Sequence, residues 1–306
     1  QFITSFVGLC ISMFLLMSIA DMFRPAMFVS LSVYAKPENR TRALTLVRLA
    51  INLGFAAGPA LGGLIIMGIG YNALFWVDGA TCILAILIFW IKVKEKKKSA
   101  YTDKEHPGEV LTHSVFKDGP FWIFLMICLI SGIMFFQLFT TIPLYHKEQF
   151  NLSELQTGLL LTFNGVLVFF VEMPLVSYIE RNKINKLRAI NLGGLLMTIS
   201  MFLLLINNWV GILIIMMLFM TFAEMFAFPF SNSFAMSRAP KGHEGRYMAI
   251  FTMTYSMAHI LSAKSGMTII DHFGYQANWL FMGTLGLISV LLGLWVYKLI
   301  KKINHV

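Results

Sequence analysis

Charge is scarce in this chain. Asp, Glu, Lys and Arg make up only 13% of its 306 residues, against 58% hydrophobic, where a soluble domain carries about 25% charged and about 45–50% apolar residues. That shortage excludes a water-soluble enzyme, because no soluble core could hide so much apolar surface, and it excludes a disordered chain. Cysteine is sparse too. Cys10, Cys82 and Cys128 all lie inside apolar runs, so they pack rather than bridge, and no metal-ligand spacing is present. The seven histidines form no H-x-x-x-H pair, and no G-x-x-x-x-G-K-[ST] loop occurs, which leaves no P-loop for ATP hydrolysis. With no nucleophile–base pair either, no catalytic residue is assigned and neither metal nor cofactor is expected.

What the chain does have is long apolar runs, with mean hydropathy +0.74. A bilayer core about 30 Å thick needs roughly 20 helical residues. Nine predicted segments meet that length, at about 6–33, 43–69, 72–92, 121–144, 154–179, 189–206, 209–236, 248–270 and 276–299. Strands of a transmembrane barrel would alternate over only ~10 residues, so a barrel is excluded.

The net charge of +9 sits in short clusters between these runs, not in one patch of the kind that binds nucleic acid. One set of connections is basic: Lys36/Arg40/Arg42, Lys92 to Lys117, Arg181/Lys183/Lys186/Arg188, Arg238/Lys241/Arg246 and Lys298/Lys301/Lys302. The alternate set is short, and Lys147 is its single Lys or Arg: Gly70-Tyr71-Asn72, 145–153, Asn207-Asn208 and Asp271 to Tyr275. By the positive-inside rule the basic set is cytoplasmic, so the C-terminal end is expected inside; the expected location is the inner membrane. The long polar stretch at about 93–119 reads as a cytoplasmic linker, or as an ordinary solvated loop with affinity for anionic lipid. The expected organisation is a bundle over 1–93, a linker over 94–119 and a second bundle over 120–306.

An internal repeat supports that division. At a shift of 204 residues, Arg42 falls on Arg246, Gly62 on Gly266, Gly70-Tyr71 on Gly274-Tyr275, Phe75 on Trp279, and Lys94, Lys97 and Lys98 on Lys298, Lys301 and Lys302. Just upstream, Ala20-Asp21-Met22-Phe23 matches Ala223-Glu224-Met225-Phe226 at a shift of 203. Both copies begin and end on the basic side, so the repeat is parallel, about an axis along the membrane normal. The second half holds six segments and the first holds three. The expectation is therefore that about three helices are missing before Gln1, and that the complete protein has two six-helix bundles.

Residues 48–63 read RLAINLGFAAGPALGG. Gly54, Gly58, Gly62 and Gly63 strip part of one helix so that a neighbouring backbone can come close, and Pro59 removes a helical hydrogen bond. A tight seam in any polytopic protein would explain the glycines alone. The combination G-x-x-x-G-P-x-x-G-G, in the fifth helix of such a repeat, resembles the antiporter motif of the major facilitator superfamily, in its twelve-helix drug:proton antiporter branch. The stretches ADMFRP, PENRTRA and GYNALFWVD also look like multidrug-efflux members of that branch. The resemblance covers essentially the whole chain, as helices four to twelve. It implies that Gly54, Gly58, Pro59, Gly62 and Gly63 pack helix five against helix eight, limiting leakage. Helix eight would carry Asn164, Gly165, Glu172 and Pro174, and the following ERNKINKLR would be a degenerate counterpart of the family's gating motif.

Ionisable groups inside spans cost roughly 2.5–3.5 kcal/mol each on insertion scales. Asp21 and Arg24 are three apart on one helical face, as a structural ion pair or as coupling groups. Glu224 lies mid-span with no basic residue within two turns. Burial penalises the charged form of such a carboxyl, so it can carry a proton, or it can simply stay protonated and hydrogen-bonded. Glu172 is a similar candidate. Arg48 and Lys264 snorkel toward the surface. His259 reads as a core histidine or a cavity residue. Among the aromatics, Phe135, Phe136 and Phe139 beside Gln137, with Phe222, Phe226 and Phe228, would line an adaptable apolar cavity together with Asn164.

The expected fold is all-α and integral to the membrane, of the major facilitator type. The expected function is alternating-access, proton-coupled efflux of small amphipathic or cationic compounds, by a monomer surrounded by lipid and powered by the proton gradient. The rivals are a proton-coupled importer of sugar, peptide or organic acid on the same fold, and a non-transporting membrane sensor or scaffold.

Overall fold

The computed structural model describes residues 5–19, 40–92, 115–206, 209–240 and 244–303. In hydrocarbon a backbone must satisfy its own polar groups, which long apolar runs do as helices. The described residues form α1 (Phe6–Ile19), α2 (Arg40–Ile69), α3 (Tyr71–Lys92), α4 (Gly119–Phe136), α5 (Thr141–Phe150), α6 (Glu154–Arg181), α7 (Lys186–Leu203), α8 (Gly211–Arg238) and α9 (Glu244–Ile303). Seven of them are long and apolar enough to cross a membrane. The 60-residue α9 is broken at Gly274, where φ is 82° and ψ 175°, so it supplies two spans. Gly70, with φ 97°, makes the equivalent corner between α2 and α3. This is an all-α, multi-pass membrane fold.

One span departs from expectation. The run 121–144 is not a single helix: α4 stops at Phe136, a 3₁₀ turn covers Gln137–Phe139, and α5 follows. Pro143 explains the break, since it brings no N–H and its ring displaces the carbonyl four residues back, at Phe139. Thr140 Oγ1 donates to the Phe136 carbonyl at 3.1 Å, occupying one of the acceptors set loose. Helix then continues to Phe150, into a stretch expected to be a loop, and ends at Asn151 in the left-handed region with φ 52°, a conformation asparagine tolerates. The next helix starts on a capping box, with the Gln156 N–H donating to Ser153 Oγ at 3.2 Å and the Ser153 N–H to Gln156 Oε1 at 2.8 Å.

Methionine dominates the core shared by α4, α7, α8 and α9, where Met134, Met197, Met201, Met216 and Met220 belong to one buried cluster with Trp279. Unbranched thioethers fill the irregular gaps between crossing helices. Lipid gives helices no hydrophobic reason to associate, so close approach of small residues must do it. At Gly193 a Cβ would sit 2.7 Å from the Ala223 carbonyl oxygen, so α7 and α8 meet backbone to backbone. A second, aromatic cluster (Phe121, Phe124, Phe230, Tyr247, Phe251) closes the end that carries the basic residues. Phe170, Leu291 and Trp295 remain outside, the surface expected against acyl chains.

Candidate functional site

The glycine-rich helix α2 lies along α6. Their seam is set by two glycines: a Cβ at Gly63 would come within 2.8 Å of Leu155 Cα, and one at Gly158 would strike the Pro59 carbonyl. Gly54 and Gly58 meet no described atom within 4 Å, and Gly62 faces Leu74 Cδ1 at 3.7 Å. Of the four glycines read together in the sequence, Gly63 is the one in backbone contact with α6. Its counterpart Gly158 carried no signal of its own.

Beyond Pro59, a cavity of about 220 Å³ opens between α2, α4, α6 and α8. Its walls are aromatic. Phe55 of α2 reaches Phe139, ring centroids 6.4 Å apart. Phe135 stands edge-on to Phe139 at 5.7 Å and to Phe228 at 4.7 Å. The polar side chains in the lining are Asn52, Asn164 and Glu224. Glu224 sits halfway along α8, and Asn164 Nδ2 on α6 donates both to its Oε1 and, at 2.9 Å, to Thr221 Oγ1. The Thr221 hydroxyl in turn donates to the Met217 carbonyl at 2.6 Å. This chain ties α6 to α8 and leaves one carboxylate edge aimed into an apolar chamber. A cleft of about 460 Å³ on the far side of the Pro59–Gly158 contact shares Pro59 and Leu161 with the chamber, and a cleft of about 650 Å³ toward the basic end shares Phe228.

The other sequence candidates are placed as follows. Asp21 and Arg24 lie outside the described residues, as does most of the 93–119 stretch and the side chain of Arg48. Gly165 lines the cavity. Glu172 is only 5% exposed, further along α6, and is not among the lining residues. Gln137 is fully buried and turned away from the chamber: its Nε2 donates to the Ser262 carbonyl at 3.0 Å and Ser262 Oγ at 2.9 Å, and its Oε1 accepts from Thr141 and Asn278. The expectation that Gln137 lines the cavity is corrected: it continues the buried face of α4 carrying Ile133 and Met134, where it bonds to α9, and it is not among the lining residues. Phe226 packs into the aromatic cluster at the basic end rather than into the chamber. His259 stacks on the outer side of Phe136, centroids 4.5 Å apart, behind the cavity wall.

One cluster was missed. Asp118 caps α4, accepting from the Phe121 N–H at 3.2 Å, and takes a bidentate pair from Arg238 at 2.9 and 2.8 Å and the Tyr247 hydroxyl at 3.1 Å. It joins the basic ends of α4, α8 and α9. Burial works against its charge, but the hydrogen bonds and positive charge of Arg238, with the Phe121 N–H and Tyr247, hold the carboxyl below its ordinary value. The Asp118-Gly-Pro run is itself a helix-start signal, hidden in a stretch otherwise read as linker.

The chain is thus a polytopic helical protein with an aromatic chamber between packed helices, in which Glu224 is the one acidic side chain among the described lining residues. The chain belongs to the Major Facilitator Superfamily, whose family model matches residues 2–263. It is similar to two uncharacterized MFS-type transporters of Bacillus subtilis. YttB is 26% identical over 270 residues, covering 87% of this chain and 66% of that protein, and YqjV is 23% identical, covering 83% and 62%. The chain thus spans less than two thirds of the length of these relatives. Among solved structures it is similar in fold to a POT family transporter in complex with 5-aminolevulinic acid (TM-score 0.69, 14% identity, covering 94% of this chain and 76% of that one). It is also similar to a bacterial homologue of the iron transporter ferroportin in its inward-facing state (TM-score 0.60, 13% identity, covering 86% and 65%).

Proposed function

We propose that this chain forms part of a secondary active transporter of the inner membrane, of the drug:proton antiporter type, that exports small amphipathic or cationic compounds by alternating access. The observation that carries this is Glu224: a carboxyl in mid-membrane, on the wall of a phenylalanine-lined chamber, held, among the described residues, by a neutral amide rather than by a cation. Family membership supports transport as the activity, and the glycine seam of α2 and α6 supports an antiporter.

Chemistry follows from the wall. In a low-dielectric site a carboxyl is satisfied either by a proton or by a cation beside it, so a cationic cargo and a proton can serve Glu224 in turn. Cargo and proton then exclude each other on one group, which is the linkage that exchange requires. Aromatic faces add cation–π attraction without demanding one cargo shape. Among the described lining residues Glu224 is the one ionisable group, which favours a cation over the organic acids or peptides that an importer of this fold would take. Ligands shift the carrier between its two facings only through unequal affinity for them.

The test is Glu224→Gln in the whole protein, reconstituted with an imposed proton gradient and a cationic dye. Gradient-driven export should be lost while dye exchange at equilibrium persists. Unchanged gradient-driven export would remove Glu224 from the mechanism.

A further inference from the structure

The repeat has a physical consequence at the end of the molecule opposite the basic residues. Gly70 and Gly274 are equivalent in the repeat, and both have positive φ, 97° and 82°. Each is followed by a tyrosine, and each tyrosine hydroxyl donates to a glutamate on the same short stretch where α5 passes to α6. Tyr71 reaches Glu154 Oε1 at 2.9 Å, and Tyr275 reaches Glu148 Oε2 at 2.8 Å. The two bonds differ in what they join. Tyr275 and Glu148 both belong to the second half of the chain, whereas Tyr71, at the head of α3, bridges from the first half to the second. Lys147 Nζ also lies 3.1 Å from Glu154 Oε1. The bridge sits directly over the α2–α6 seam, where Gly63 faces Leu155, the neighbour of Glu154.

We propose that Tyr71 and Glu154 are the gating pair of the outer face: their bond holds that face shut over the seam, and it breaks whenever the face opens. Tyr275–Glu148 is its fixed counterpart and survives opening. The proposal rests on the alternating-access reading and deepens it. Its chemistry suits a reversible gate. A phenol donating to a carboxylate is a charge-assisted bond, yet the pair is solvent-accessible and therefore modest. When Tyr71 leaves, Glu154 keeps Lys147, so no charge is stranded.

The experiment uses the whole protein with Cys10, Cys82 and Cys128 replaced by serine and spin labels at Ile69→Cys and Gln149→Cys, both exposed near the outer face. Pulsed electron-resonance distances report the closed and open populations. Tyr71→Phe, which deletes one oxygen, should raise the ratio of the longer to the shorter distance about fivefold, the worth of one ordinary hydrogen bond. Tyr275→Phe should leave the ratio as in the wild type. If the wild type shows both distances and Tyr71→Phe does not change their ratio, the gate is elsewhere and alternating access stands. If a single distance persists in every variant, with and without a cationic dye and across pH, both the gate and alternating access are overturned.

Discussion

Alanine substitution along the α2–α6 seam separates glycines that the sequence presents as one motif. A methyl at Gly63 would lie 2.8 Å from Leu155 Cα and 3.1 Å from the Glu154 carbonyl oxygen, where carbon atoms in contact sit about 3.5–4.0 Å apart. The obstacle is backbone, so relief requires the two helices to part by roughly 1 Å. Gly158 presses on the Pro59 carbonyl in the same way. Overpacking of this kind costs about 1–3 kcal/mol, partly offset by the ~1 kcal/mol that alanine gains over glycine within a helix. At Gly54 and Gly58 no described atom lies within 4 Å, and at Gly62 the contact of 3.7 Å is ordinary, so against the described residues the gain is unopposed. Gly63→Ala and Gly158→Ala should therefore fall below Gly54→Ala and Gly58→Ala by about 2 kcal/mol, roughly thirtyfold in any equilibrium that opens the seam. Thermal unfolding in detergent gives the ranking, and labels on α2 and α6 give the separation. If Gly58→Ala loses as much as Gly63→Ala, the seam does not run where the structure puts it.

Two further outcomes test the polar clusters. Asp118→Asn should cost about 2 kcal/mol near neutral pH, because it weakens the bidentate partner of a half-buried Arg238. Since the folded Asp118 pKa lies below its unfolded value of about 3.9, the stabilisation is complete above the unfolded value and is lost as pH falls through the folded one. The gap between variant and wild type should accordingly close only in strong acid, and a gap that closes between pH 6 and 8 would contradict this assignment. Gln137→Leu orphans Thr141, Asn278 and the Ser262 carbonyl, so it should lower stability by about 2 kcal/mol. Dye affinity should be unchanged in that variant, because Gln137 does not reach the chamber.

What could be read from the sequence was what local physics decides. Hydropathy over twenty residues and the alternation of basic loops depend on each segment alone, and the helices from α6 to α9 lie within a few residues of expectation. The break before α5 was hidden because the apolar run passes over Thr140 and Thr141 and resumes at Ile142, while Pro143 disrupts the helix within it. Gln137 was misplaced because hydropathy does not tell which face of α4 meets its neighbours: it lies three, four and seven residues after Met134, Ile133 and Ile130, all buried, and so shares their face. The same geometry splits the glycine motif, since Gly63 lies about 100° around α2 from Gly62. Asp118 was overlooked because it closes a polar stretch and its side-chain partners, Arg238 and Tyr247, are more than a hundred residues away.

Asn164 and Glu224 were each singled out, yet nothing in their spacing brings them together, and the pairing alters what Glu224 can do. A cation beside the carboxylate would hold it ionised, and releasing it to a proton would strand that cation. Asn164 is neutral and donates through a single nitrogen to both Thr221 and Glu224. When Glu224 takes a proton or turns to a cargo, Asn164 keeps Thr221, and Thr221 keeps Met217. The tie between α6 and α8 therefore outlasts the change in charge. In the function proposed above, a proton can come and go at Glu224 without loosening the wall it stands on. Asn164→Leu should accordingly disturb both the α6–α8 contact and the pH dependence of dye binding, whereas Glu224→Gln should disturb only the second.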